Sequence, residues 1–214
     1  MTDPWIKPLC RFMVTTYTAT PWYQSPSGTC QVYKGIVQDL VTYGFGATRT
    51  WQEWIVDFEA LDVPVHNHPE FGPIHLGLWD DMQGALAAMA ADLAALGWPS
   101  WLMGCHSKGA GQGILAHAAF QSMGHAPLAG RYFEPPMVGT KVLIDHIDKH
   151  GCNDQEVVWT QTWNKNGPDV VTRVPQWPEW HQPDVVTHLQ VPDPDDVSIK
   201  HEWPAVLAAV EALP

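Results

Sequence analysis

A chain of 214 residues carries 23 acidic against 11 basic side chains, a formal net charge of −12, with charged residues at 16%, hydrophobic residues at 45% and 12 tryptophans. That length buries one sizeable core, which sets the expectation of a single domain over residues 1–214. No window gathers Lys and Arg into a stripe able to neutralise phosphates, which argues against nucleic acid as a partner, and no uninterrupted apolar stretch is long enough to span a bilayer.

From the first residue, Met1-Thr2-Asp3-Pro4-Trp5 lacks a basic region followed by an apolar run, so the expectation is a chain without a signal peptide and, by default, a cytoplasmic one. Residues 9–18, 30–37 and 40–45 are dominated by β-branched and aromatic side chains with Gly, Pro and Ser between them, the pattern of strands and turns. Leu78, Met82, Ala85, Leu86, Met89, Leu93 and Leu96 recur at steps of three and four, which predicts an amphipathic helix ending at Gly97-Trp98-Pro99. Residues 100–105 then read as a strand, followed by a sharp polar turn and an alanine-rich helix over 109–120. Residues 131–133, 156–162 and 185–191 add strands, and 205–213 a last helix. Strands alternating with helices favour an α/β fold with a largely parallel sheet. The four cysteines, Cys10, Cys30, Cys105 and Cys152, form no C-x-x-C pair and read as buried thiols. A Cys10–Cys30 disulfide stays open for an oxidising compartment.

The strand, turn and helix around Cys105-His106-Ser107-Lys108-Gly109 form the place for a nucleophile elbow, in which a serine occupies a strained turn. The residues two before and two after it must be small, so that helix and strand can approach. Gly109 satisfies this, Cys105 stands where a glycine is usual, and Gly111 and Gly113 thin the start of the helix. A serine hydroxyl needs a base to take its proton and an acid to orient that base. Asp169, after a strand and the turn 164–168, and His201, just before the last helix, come in the order Ser, Asp, His; His188 and His181 are rival bases.

Five segments, in order, resemble the class 3 lipases, the fungal-lipase-like group of α/β-hydrolases. Phe45-Gly46-Ala47-Thr48, with Glu53-Trp54-Ile55-Val56-Asp57-Phe58, is similar to F-R-G-T/S and its trailing N-W-x-x-D-L. Ile74-His75-Leu76-Gly77-Leu78 is similar to V-H-x-G-F. Residues 105–110 resemble the G-H-S-L-G-G elbow, residues 133–139 resemble F-G-x-P-R-V-G, and residues 166–175 resemble the D-I-V-P-R-L-P segment that carries the triad acid. The resemblance implies a single α/β-hydrolase domain with a mostly parallel central sheet flanked by helices. It also implies an ester hydrolase with Ser107, Asp169 and His201 as triad, and Thr48 with the main-chain N–H of Lys108 as oxyanion hole. No cofactor is implied, the substrate is a small-molecule or lipid ester, and a monomer is expected.

Departures from the family pattern sharpen particular questions. Gly46-Ala47 replaces Arg-Gly before Thr48, and Glu202-Trp203-Pro204 follows His201 in place of H-x-x-Y. Lys108 replaces an apolar residue and either sets a cation at the cleft mouth, favouring anionic or polar substrates, or reaches solvent. Trp51, Trp54, Ile55 and Phe58 fall at i, i+3, i+4 and i+7, one apolar helix face that the resemblance makes a lid over 50–58; the other reading is an immobile surface helix. His66, His68 and His75 lack acidic or thiol ligands at fixed spacing, so no metal is expected. Trp177 and Trp180 rim an acyl pocket or fill the core. The altered elbow and oxyanion loop also motivate an alternative: a hydrolase-fold protein that has lost catalysis and serves in binding or assembly.

Overall fold

In the computed structural model, residues 3–46, 65–149, 156–164, 167–168, 170–173, 179–181, 187–191 and 203–214 are described. Helix α1 spans Ile6–Thr16, where the composition predicted a strand. Its buried residues Ile6, Leu9, Cys10, Met13 and Thr16 recur at helical steps, so docking one face on the sheet overrides the strand preference of Val14, Thr15 and Thr16.

Strands β1 (Tyr23–Gln24), β2 (Gln31–Val37) and β3 (Leu40–Phe45) form an antiparallel edge. The β2–β3 hairpin turns through Gln38 and Asp39, both at positive φ, as a two-residue turn matched to the sheet's twist requires. β4 (Val65–His68) and β5 (Gly72–His75) make a separate two-stranded hairpin that the sequence reading lacked. Helix α2 (Leu76–Ala95) buries Leu78, Met82, Ala85, Leu86, Met89 and Leu93 of the predicted apolar face, while Leu96, just past its last turn, is exposed. The helix stops where expected, with Trp98 N–H donating to Leu93 O at 2.8 Å and Gly97 at φ 77°.

β6 (Trp101–His106), α3 (Lys108–Ser122), β7 (Ala129–Phe133), α4 (Lys141–Lys149), β8 (Glu156–Asn164), the two-residue β9 (Gly167–Pro168), a 3-10 turn over Val170–Arg173, β10 (Thr187–Gln190) and α5 (Trp203–Glu211) complete the described elements. The eight-stranded sheet runs β1-β2-β3-β6-β7-β8-β10, with β9 paired to β8. Pairing is parallel from β3 to β10 and antiparallel at β1-β2-β3 and β8-β9, so the sheet is mixed, and its parallel part is the expected one.

Alternate residues of the central strands feed two faces. Tyr43, Met103, Cys105 and Tyr132 join the core under α2, α3 and α4, while Phe133 and Leu189 pack with Ile6, Cys10 and Met13 of α1 and Val206 and Val210 of α5. Helices on both faces of a sheet with a parallel centre fit the α/β-hydrolase fold expected from the sequence. Cys10 and Cys30 are buried free thiols in different core clusters, so the disulfide left open by the sequence does not form. Among the described residues no helix is long and apolar enough to cross a membrane.

Candidate active site

β6 ends at His106 and α3 begins at Lys108, leaving Ser107 alone between them at φ 57°, ψ −134°. A non-glycine residue there carries backbone strain of about 1–3 kcal/mol, held by the surrounding hydrogen bonds. Ser107 N–H donates to Phe133 O of β7 at 3.0 Å, and Ser107 O accepts from Ala110 N–H at 2.8 Å and Gly111 N–H at 3.2 Å. The serine is 3% exposed.

Small residues let α3 come this close. A Cβ on Gly109 would overlap the main-chain carbonyls of Phe45 and Gly46, so the first turn of α3 lies directly on the end of β3. A Cβ on Gly113 would overlap Cys105 Sγ. The cysteine that stands in place of the usual elbow glycine is thus accommodated by a missing side chain on the facing helix. Burial pushes the Cys105 thiol up to about 12, which keeps it protonated and unreactive beside the serine.

His106 is buried, with Nδ1 2.8 Å from the hydroxyl of Tyr17 and its ring 4.3 Å from that of Trp203 on α5. Glu134 follows Phe133, the register partner of His106 and the last residue of β7, and so comes level with Ser107 just past the strand's end. It is fully buried at φ 52°. The resembled motif has glycine here, which would adopt that φ without strain. Glu134 was not singled out from the sequence; the available signal was its replacement of that glycine.

Lys108 matches neither sequence expectation, because its ammonium turns inward. Nζ donates to Thr29 O at 3.0 Å and lies 3.5 Å from Asp81 Oδ2 of α2. The same carboxylate accepts from Gln112 Nε2 at 2.9 Å, from the Thr29 hydroxyl, and from Ser27 and Ser25 hydroxyls at 3.3 and 3.4 Å. Asp81, Gln112 and Thr29 were not singled out from sequence. The available signal was the i, i+4 spacing of Lys108 and Gln112 on one helix face.

Thr48, Trp51, Trp54, Ile55, Phe58, Asp169, Trp177 and His201 lie outside the described residues, as does Cys152. Of the rival bases, His188 is exposed on β10, three strand spacings from β6, roughly 14 Å at the sheet's usual interval. His181 is exposed, with its N–H on Gly139 O at 3.1 Å. Trp180 is 5% exposed against His75, in the core as the packing reading had it. The His66 ring stacks on Trp79 and that of His68 on Phe71. Among the described residues no three His, Cys, Asp or Glu side chains stand together so as to hold a metal ion.

No family model and no curated protein matches the chain in sequence. Solved structures do match in fold. Lip2 lipase from Yarrowia lipolytica aligns with a TM-score of 0.67 at 13% identity, over 89% of this chain and 79% of its own. A triacylglycerol lipase from Penicillium expansum aligns with a TM-score of 0.67 at 12% identity, over 87% and 79%. The triacylglyceride lipase of Rhizomucor miehei aligns with a TM-score of 0.59 at 18% identity, over 81% and 66%. These neighbours are fungal class 3 lipases, the group whose motifs the sequence resembles, and the chain has their fold.

Proposed function

We propose that the chain hydrolyses carboxylic esters through an acyl-enzyme: Ser107 attacks the carbonyl, His201 takes and returns the proton, and Asp169 orients the imidazole. The observation that carries this reading is the strained Ser107 between a parallel strand and a helix N-terminus. As the first residue of α3, Lys108 has a main-chain N–H without an intrahelical acceptor, suited to receive developing negative charge at the positive end of the helix. Thr48 is the second donor in this reading. The chain leading to it, Phe45-Gly46, lies against Gly109, two residues beyond the serine.

Two further contacts support the assigned acid and base. Trp203, two residues after His201, packs on His106, the residue before Ser107. Val171, two residues after Asp169, is fully buried in the core that holds Cys105 and Ala110. β8 and the β9 hairpin lead to the acid, and β8 runs parallel to β6 through β7, so both strands end at the same edge of the sheet. In this reading residues 50–58, with Trp51, Trp54, Ile55 and Phe58, supply the lid and the acyl-binding face.

A fluorophosphonate probe and a series of p-nitrophenyl esters test the proposal. Wild type is expected to be labelled once and to turn over esters, and Ser107→Ala to lose both while remaining folded. Asp169→Asn is expected to lower kcat by about 10⁴-fold, the cost of a misoriented base, and His201→Ala to be inactive where His188→Ala is not. Labelling retained in Ser107→Ala means another nucleophile; a wild-type serine that stays unlabelled means an inert hydrolase fold used for binding. Turnover that rises once long-chain esters form an interface supports a working lid, and a steady fall beyond short chains a soluble esterase.

A further inference from the structure

We infer that Asp81 is a positioning residue for the oxyanion donor, holding the Lys108 main-chain N–H in place through the lysine's own side chain. The inference rests on the ester-hydrolase reading and adds to it a residue 27 positions away in sequence, on a different helix.

Lysine immediately after the nucleophile departs from the apolar residue of the resembled motif, and an ammonium on a side chain only 11% exposed requires partners. It finds them in Thr29 O and Asp81. The carboxylate also takes Gln112 Nε2 one turn along α3, and the hydroxyls of Thr29, Ser27 and Ser25 from the turn between β1 and β2. Asp81 therefore grips the first two turns of α3 at two points on one face and ties both to a third segment of chain. Two points of attachment fix the rotation of a helix about its axis. The Lys108 N–H, which must aim at one oxygen position within about 0.5 Å to stabilise a tetrahedral intermediate, inherits that fixity.

A grip of this kind acts on the transition state and not on substrate binding, so its loss lowers kcat and leaves KM. The test measures kcat per fluorophosphonate-titrated serine, and KM, for wild type, Asp81→Asn and Thr29→Val. Titration removes misfolded molecules from the count, so a residue needed only for folding would lower the titrated fraction and leave kcat per serine unchanged. Asp81→Asn is expected to lower kcat per serine by about tenfold with KM within about twofold, and Thr29→Val, which removes one hydroxyl from an exposed position, by about threefold. Should Asp81→Asn fail to fold, Thr29→Val decides alone. A kcat per titrated serine equal to wild type in the folded variants, or a change confined to KM, overturns the inference while the hydrolase reading stands. A wild-type serine that takes no probe overturns both.

Discussion

The imidazole of His75 caps α2, its Nδ1 accepting from Leu78 N–H at 3.3 Å. Burial lowers its pKa to about 4, and the nearby charge of Lys108 adds to the shift against an opposing backbone hydrogen bond. His117, wholly buried with Nδ1 2.6 Å from the Tyr132 hydroxyl, is lowered by burial to about 3. Each histidine stays neutral in the folded chain while its unfolded counterpart takes a proton near pH 6.5. Stability is therefore level above about pH 6.5 and falls as pH drops toward the folded values, by up to about 1.4 kcal/mol per pH unit for each histidine. His75→Asn keeps a capping acceptor but does not titrate, so its urea-unfolding free energy should fall less steeply than that of wild type between about pH 6 and about pH 4.5. Parallel curves would refute the assignment. At this scale the sharp turn at Ser107 was legible, because a strand and a helix joined that tightly need small neighbours at fixed offsets. The inward turn of Lys108 was not, since its partners Asp81 and Thr29 lie 27 and 79 residues away.

Between elements, the contact of β6 with α3 is decided by which of two facing positions carries the atom. Cys105 supplies a sulfur and Gly113 the gap. Gly113→Ala overfills that space and is expected to cost about 1–3 kcal/mol. Adding Cys105→Gly removes the sulfur, and the double variant should be less destabilised in urea than the sum of the two singles. Strict additivity would show that the two positions do not share the space. Helix α2 was readable because seven apolar residues keep one period over most of its length. In α1 the same period runs through Ile6, Leu9, Cys10 and Met13, but a β-branched cluster at its end outweighed it, and docking on the sheet settled the matter. The β4–β5 hairpin, with His66 and His68 on one strand and Pro73 on the other, has too few apolar residues for alternation to stand out.

Across the whole molecule, the alternation of strands and helices foretold a parallel sheet, and it holds where crossovers join the strands, from β3 to β10. The antiparallel edge follows instead from the short β2–β3 connection, which only a hairpin can make. The chain's early residues are bound to the sheet's centre by an ion pair: Arg131 of β7, fully buried, donates from Nε to Asp3 Oδ2 at 2.6 Å and from Nη2 to the other oxygen. Removing one partner strands a buried charge, so Asp3→Ala is expected to destabilise the fold by about 3–5 kcal/mol, read from the shift in urea midpoint. Arg11→Ala, which breaks an exposed pair with Glu211, should leave the midpoint in place. The partners Asp3 and Arg131 stand 128 residues apart. During synthesis at roughly 5–20 residues per second, the carboxylate is exported early and waits several seconds or more for its guanidinium. A nascent chain halted before β7 has neither that anchor nor Phe133, Leu189 and Val206, the residues against which the first helix packs.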